Sequence, residues 1–254
     1  MARAKPPHPS QGTLFKGSEI SNLARQFTPV STALQGARGY QAGRGQRFST
    51  AGLGDLQANP QRGHATFLAY RNAMQAPQGP EIAKSYEAMR EHVSKQYDYM
   101  TKPKEQGGMG LRHEVTEHDP YKTPQEMAAD LATGRIQTWT SASTPHEYFT
   151  PEENDRFRAV HDVFGHGASG RGFSRHGEEA AYLSHRQMFP PEAHAALASE
   201  TRGQNSYLNY SAENQFPSQK GKLIGLPKWA ASRTSATPTS RRTRRRGAQQ
   251  SSLF

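Results

Sequence analysis

Residues 154–210 read NDRFRAVHDVFGHGASGRGFSRHGEEAAYLSHRQMFPPEAHAALASETRGQNSYLNY, and this stretch decides the fold of the chain. Apolar residues recur in it at helical spacing, which predicts successive helices that build a core. Histidines, carboxylates and side-chain amides interrupt those apolar faces, and such groups are costly to bury without partners. The stretch therefore predicts both a helical core and a polar site inside it.

His161 and His166 are the first candidates for a metal site. On an ideal α-helix, two residues that are five apart point roughly 140° away from each other. We therefore expect the helix to end near Gly165, because glycine readily adopts the left-handed conformation that terminates helices. The alternative is a pair of histidines that are hydrogen-bonded in a polar surface turn.

Each of the two following helices carries a carboxylate on a face that is otherwise largely apolar. Glu178 falls in line with His185, and Glu200 falls in line with Gln204. A buried carboxylate requires a cation or several hydrogen-bond donors. Either glutamate is thus a candidate for a third metal ligand, and the alternative for Glu200 is a hydrogen-bonded network with its polar neighbours.

The chain contains no cysteine. This excludes disulfides, thiolate metal sites and a cysteine nucleophile. Any metal must be bound through nitrogen and oxygen atoms, which favours Fe(II), Zn or Mn.

Two segments, TPEE at residues 150–153 and HDVFGH at residues 161–166, together resemble the iron-binding segment of the pterin-dependent aromatic amino acid hydroxylases. In that family, two histidines and a later glutamate bind the iron. The resemblance matches the two histidines of HDVFGH to the histidine ligands. It places Glu200, rather than Glu178, as the carboxylate ligand.

The resemblance implies a mononuclear non-haem Fe(II) enzyme of the oxygenase or hydroxylase type. Asp162 and Glu178 would then orient the histidine ligands from outside the coordination sphere. Arg202, Gln204 and Asn205 would contact the substrate or support the ligands. The motifs HDVFGH, GEEAAY and ETRGQNSYLN also resemble an uncharacterised family of bacteriophage proteins. This resemblance and the basic tails together make a nucleotide or nucleic-acid substrate the expectation.

A metal-dependent hydrolase is the second hypothesis. The adjacent His161 and Asp162 are similar to the dyad of HD-type phosphohydrolases, and His113 and Asp130 are the candidates for the further ligands. In such an enzyme, a glutamate of the central stretch would deprotonate a metal-bound water.

The third hypothesis is a non-enzymatic, basic protein that associates with nucleic acid or with the virion. The formal net charge is +10, and five arginines lie between Arg241 and Arg246. Such charge attracts phosphate without regard to sequence. Under each hypothesis we expect nucleic acid to be a non-specific partner of the basic tails.

The predicted fold is mainly α, with a single small helical metal-binding domain at residues 63–230 and at most a short two- or three-stranded side sheet. Residues 1–62 form a leader rich in Gly, Arg and Pro, and residues 231–254 form an Arg-rich tail. We expect both flanks to be disordered, because such compositions bury too little apolar surface to offset the entropy of ordering.

Local signals predict several element boundaries. An apolar stripe predicts an amphipathic helix at residues 81–100. Thr123 and Thr150 each precede a proline and stand three residues before a glutamate, the pattern of a capping box at a helix start. The helix after Thr123 is expected to stop at Gly134, and the alternating residues 135–140 predict a strand.

No apolar run approaches the ~20 residues that a membrane-spanning helix needs, and the N-terminus lacks the apolar segment of a signal peptide. We expect a soluble intracellular protein without a membrane partner. For a phage-encoded chain, this means the host cytoplasm or association with the virion.

Overall fold

A computed structural model describes residues 28–53, 59–77, 79–212, 217 and 221–224. As predicted, this part of the chain is mainly helical and includes a small two-stranded sheet. The predictions of disorder for residues 1–27 and of an Arg-rich tail at residues 231–254 lie outside the described residues.

The helices and strands follow one another in this order: α1 Ser31–Ala42, α2 Pro60–Gln75, α3 Glu81–Thr101, β1 Arg112–Thr116, α4 Pro124–Ala132, β2 Arg135–Trp139, α5 Pro151–His161, α6 Arg175–His185, α7 His194–Ala198 and α8 Gln204–Tyr210. Two π-helical segments, Asp162–Gly167 and Ser199–Gly203, extend α5 and join α7 to α8.

The helix starts confirm the capping signals in the sequence. Thr123 and Thr150 accept hydrogen bonds from the backbone N–H groups of Glu126 and Glu153, and each glutamate reaches back to the backbone of its threonine. These reciprocal bonds satisfy N–H groups that a helix start would otherwise leave unpaired. The predicted helix at residues 81–100 is α3, which buries the apolar stripe of the sequence.

The two strands form a parallel pair in which Arg112 lies opposite Arg135. A parallel pair requires a crossover connection, and α4 supplies it. Gly134 follows α4 with φ +87, a left-handed conformation that glycine adopts without strain. The strand predicted at residues 135–140 is thus confirmed, together with the predicted end of α4.

Helix α1 corrects the prediction that the whole of residues 1–62 is disordered. Ala33, Ala37 and Tyr40 lie on one face of this helix and are buried in the core. The N–H of Val30, just before the helix, donates to the carbonyl of Gly167 at 2.9 Å. Small residues at helical spacing gave α1 an apolar face despite its glycine-rich surroundings.

The packing places the central stretch of the chain in the interior. Helix α3 packs against α5 and α7, and α6 packs along the π-helical segment that follows α5. Helix α1 contacts the same segment. The polar groups of α5 and α6 therefore face each other inside the core.

Within the described part of the chain, every helix is too short or too polar to cross a lipid bilayer.

Candidate metal centre

His161 and His166 lie on one continuous helical segment rather than on either side of a helix end. His161 is the last residue of α5, and His166 belongs to the π-helical segment Asp162–Gly167. A π-helix closes its hydrogen bonds between residues five apart, which brings side chains with that spacing to the same face. The predicted helix end near Gly165 is therefore wrong. The π-helical turn, rather than a helix end, brings together two side chains that would point about 140° apart on an ideal α-helix.

Gly165 has a different role from the predicted one, because it permits close packing. A Cβ atom at this position would lie 3.1 Å from the His161 ring and 3.1 Å from the carbonyl oxygen of Ala181 on α6. The helix ends later, at Gly170, which has φ +72. The missing side chain of Gly165 lets α6 approach the two histidines.

Helix α6 brings Glu178 to the two histidines. The Nε2 atom of His161 lies 2.8 Å from Oε1 of Glu178, and the Nε2 atom of His166 lies 3.4 Å from Oε2. One ligand atom from each of the three residues lies within 4.8 Å of the other two. All three residues are buried, with exposed fractions of 7%, 2% and 9%. This buried His-His-Glu group could hold a metal ion.

The hydrogen-bond partner of His166 fixes the tautomer of its ring. Nδ1 lies 2.9 Å from the carbonyl oxygen of Arg171. A carbonyl only accepts hydrogen bonds, so Nδ1 carries the proton and donates. In the neutral ring, the lone pair is therefore on Nε2, which faces Glu178. A ring N–H anchored on a backbone carbonyl is a common support for a metal-binding histidine.

A chain of hydrogen bonds fixes the tautomer of His161 in the same way. The amide nitrogen of Gln96 donates to the carbonyl of Met188 at 3.2 Å, so its Oε1 faces Nε2 of His185 at 2.6 Å and accepts from it. The lone pair of His185 is then on Nδ1, which accepts from Nδ1 of His161 at 3.1 Å. The lone pair of His161 is therefore on Nε2, toward Glu178.

Two imidazole lone pairs and a carboxylate thus converge on one buried point. Such an arrangement of acceptors repels itself unless a cation, either a proton or a metal ion, lies among them. Burial raises the pKa of Glu178, but the charges of His161 and His166 and their hydrogen bonds outweigh burial and hold it far below its ordinary value. Burial lowers the pKa of His166, and Glu178 more than reverses this effect.

The separations between the ligand atoms fit a metal ion. Two ligand atoms with bonds of about 2.1 Å lie about 3.0 Å apart at an octahedral angle and about 3.4 Å apart at a tetrahedral angle. The observed separations are 2.8 Å between Glu178 and His161 and 3.4 Å between Glu178 and His166. The donor set contains two nitrogens and one carboxylate, in agreement with the expectation of nitrogen and oxygen ligands.

Glu200 is not part of this group, which corrects the predicted choice of third ligand. Its Oε1 accepts hydrogen bonds from the hydroxyl of Tyr86 and from Nε2 of His146, and its Oε2 accepts from the amide of Gln204. The side chain of Glu200 is 3% exposed. Three donors of the protein itself satisfy this carboxylate, as the alternative of a hydrogen-bonded network predicted.

The polar residues after Glu200 support helices rather than the histidine pair. Arg202 donates to Glu179 at 2.6 Å and its guanidinium lies 3.8 Å from the ring centroid of Tyr182, so it joins the second π-helical segment to α6. Asn205 accepts from the side chain of Asn209. Arg202 therefore contacts α6, Gln204 contacts Glu200, and Asn205 contacts the next turn of its own helix.

Asp162 lies beside the histidines, but it makes no hydrogen bond to either of them within the described part of the chain. The orienting partners are the carbonyl of Arg171 and the ring of His185. Burial raises the pKa of Asp162 to about 6, and the charges of His166 and His161 oppose this rise. Its contribution to the group is thus electrostatic.

The two further ligands expected for an HD-type hydrolase lie in other networks. His113 is hydrogen-bonded to Tyr97 and to Thr138 of β2. Asp130 binds Arg135 at 2.7 Å and accepts from the hydroxyl of Tyr121. Among the described residues, the group that could hold a metal consists of His161, His166 and Glu178.

Several supporting residues were not predicted from the sequence. Gln96 could have been identified from the sequence, because it is a polar residue at helical spacing from Val93 and Met100 on the buried face of α3. The carbonyl of Arg171 could not, because any residue supplies a backbone carbonyl. His146 lies 54 residues before Glu200, so local spacing could not connect them.

Comparisons of the chain with protein-family models, with curated proteins and with solved structures found no match.

Proposed function

We propose that this protein is a mononuclear non-haem metal enzyme of the oxygenase or hydroxylase type, with Fe(II) bound by His161, His166 and Glu178. One observation carries the proposal. The three side chains meet in a buried group, and hydrogen bonds on their far side direct both imidazole lone pairs toward it. This is the preorganisation that a metal-binding site requires.

The composition of the donor set favours iron. Two histidines and one carboxylate, with coordination positions left open, are typical of Fe(II) oxygenases. A ferrous ion at such a site supplies the activation of dioxygen for oxidation of an organic substrate. Glu178 supplies one negative charge, and Asp162 beside the histidines supplies a second when it is ionised. Together these carboxylates balance a divalent cation inside the core.

The walls around the histidines limit the access of water. The ring of Phe173 packs edge-on against His166 with the centroids 5.2 Å apart, and Phe157 lies 5.8 Å from His161. Within the group, Glu178 retains the largest exposed fraction of the three side chains, 12%. We therefore place the approach of the substrate on the Glu178 side.

The net charge of +10 favours an anionic substrate. We propose a nucleotide or a nucleic acid, to which the basic chain would be attracted through phosphate. This part of the proposal rests on charge alone, and its test is competition by salt. Substrate affinity should fall steeply as the salt concentration rises.

The decisive experiment is the metal content of protein purified anaerobically without chelator, measured by mass spectrometry. We expect about one iron per chain in the wild type and its loss in His161→Ala, His166→Ala and Glu178→Ala. Glu200→Gln is the matched control and should retain the iron. The ferrous protein should also bind nitric oxide with a paramagnetic signal, because coordination positions are open.

Other metals or none would change the conclusion. Stoichiometric zinc or manganese with the same dependence on the three ligands would favour the metal-dependent hydrolase. A wild type that binds no metal after anaerobic reconstitution would refute both enzymes and leave the non-enzymatic nucleic-acid-associated or virion protein.

A further inference from the structure

A second polar region of the molecule is a cavity of about 590 Å³. One wall consists of residues 41–53, at and after the end of α1, and the other of residues 183–194, at and after the end of α6. Its size lies within the range of small-molecule sites, roughly 300–1,000 Å³. Arg47 and Arg186 line it, and none of the described residues that line it is aspartate or glutamate. The cavity is therefore cationic.

Arg186 is held in place by a neutral histidine. Its Nε donates to Nδ1 of His194 at 3.2 Å, and Nε2 of His194 lies 3.1 Å from the carbonyl of Phe189, to which it donates. Burial and the charge of Arg186 lower the pKa of His194 to about 4. The terminal nitrogens of Arg186 make no hydrogen bond or ion pair with another described residue. They remain available to an anionic group.

Gln41 adds a buried acceptor that has no donor. Its amide nitrogen donates to Oε1 of Gln46 and to the carbonyl of Gln187, which fixes the orientation of the amide. The residue is 1% exposed, and its Oε1 has no hydrogen-bond partner in the described part of the chain. A buried acceptor without a donor is costly. Gln41 lines the cavity, but its Oε1 atom is itself buried, so a hydroxyl or amino group of a ligand would reach this acceptor only after the side chain shifts.

The cavity also has an apolar side, formed by Leu53, Leu183, Phe189 and Pro191. The ring of Phe189 packs against His185 with the centroids 4.8 Å apart, and His185 binds the metal ligand His161. The rings of Phe189 and His185 thus lie between the cavity and His161. A molecule in the cavity would not reach His161 along this path without displacing both rings.

We propose that this cavity is a binding site for a small phosphate ester with a flat ring system, a nucleoside monophosphate in chemical class. The phosphate would bind Arg47 and Arg186, and the ring would lie on the apolar side with Phe189. The proposal does not depend on the metal centre. The site should bind its ligand equally in a Glu178→Ala protein.

Isothermal titration calorimetry with adenosine 5′-monophosphate tests the proposal, with ribose 5-phosphate, adenosine and inorganic phosphate as separate arms. The whole nucleotide should bind more tightly than each of its parts. Arg186→Gln should weaken binding by about tenfold to a hundredfold, since a hydrogen bond to a charged group is lost. Arg90→Gln removes an equal charge from α3, outside the lining, and should leave the affinity unchanged.

Arg47→Gln is a second test, because this exposed residue can be changed without disturbing the core. It should also weaken binding, and thermal unfolding should be unchanged. Three results would overturn the proposal: no binding of the nucleotide to the wild type, equal loss of binding in Arg186→Gln and Arg90→Gln, or binding of a single-stranded oligonucleotide without binding of the mononucleotide. The last result would assign the arginines to a nucleic-acid surface.

Discussion

His161, His166 and Glu178 direct hydrogen-bond acceptors toward one another. Glu200, which follows Glu178 by 22 positions in the chain, is instead surrounded by N–H and O–H donors. The first group has its ring N–H atoms turned outward, to a carbonyl and to another imidazole. The second has the hydroxyl of Tyr86 and two nitrogens turned inward to the carboxylate. The first group requires a cation among its acceptors, whereas donors of the protein itself already satisfy the second.

The tautomer of His146 makes the contrast plain. Its Nδ1 accepts from the backbone N–H groups of Tyr148 and Phe149, at 2.9 and 3.1 Å, so the proton is on Nε2 and points at Glu200. In the neutral rings of His161 and His166, the proton is on the nitrogen that is distant from Glu178. The proton position, rather than the residue type, therefore separates a candidate metal ligand from a structural hydrogen bond.

The largest expected difference between the two groups is in metal binding. Replacing Glu178 with glutamine removes the charged ligand, and we expect metal affinity to fall by more than about a hundredfold, beyond the usual effect of a supporting residue. Glu200→Gln should leave metal affinity within about twofold. Competition with a fluorescent chelator measures both. Equal losses in the two variants would place Glu200 in the coordination sphere.

The second difference is in stability. Glu200→Ala leaves Tyr86, His146 and Gln204 without their shared acceptor, and we expect the free energy of unfolding to fall by about 2–4 kcal/mol. Glu178→Ala, compared in the metal-free protein, deprives two partners, His161 and His166, of their acceptor rather than three, and should cost less. Chemical denaturation of metal-free protein measures both. A larger loss for Glu178→Ala would show that this group is structural without its metal.

A third, smaller effect is expected from the support of His161. Gln96→Leu removes the acceptor for Nε2 of His185, so the chain of donors that directs the lone pair of His161 is broken. Metal affinity should fall by about tenfold to a hundredfold. The control is His113→Phe, which breaks two partly buried hydrogen bonds outside the group and should leave metal affinity unchanged. An unaltered affinity in Gln96→Leu would mean that packing alone orients His161.

The sequence predicted the elements that rest on local signals. The capping boxes of Thr123 and Thr150 and the stripe of α3 are complete within a few residues, and the structure has all three. The two histidines that the sequence singled out also lie together in the structure. Their spacing of five, with two glycines nearby, fits a π-helical turn as well as a helix end, and only packing against α6 decides between these.

The choice between Glu178 and Glu200 could not be made from the sequence. Tyr86 lies 114 residues before Glu200, and His146 lies 54 residues before it. Both glutamates interrupt an apolar helical face, so the local pattern is the same for the two. What separates them is the set of partners that the fold brings from distant parts of the chain. Helix α1 was missed for a related reason, because its small residues become a core face only against elements from later in the chain, among them the helix that carries His166.

The smallest predicted effect tests whether the Glu200 group is purely structural. Tyr86→Phe removes one of the three donors to Glu200 and the acceptor for the backbone N–H of Lys222. We expect the free energy of unfolding to fall by about 1–2 kcal/mol, with metal affinity unchanged. Tyr70→Phe is the matched control. Its hydroxyl makes no hydrogen bond in the described part of the chain, and its loss should cost less than about 0.5 kcal/mol. A drop in metal affinity in Tyr86→Phe would show that the two carboxylate groups are coupled, because a change in the hydrogen bonds of Glu200 would then alter metal binding at Glu178.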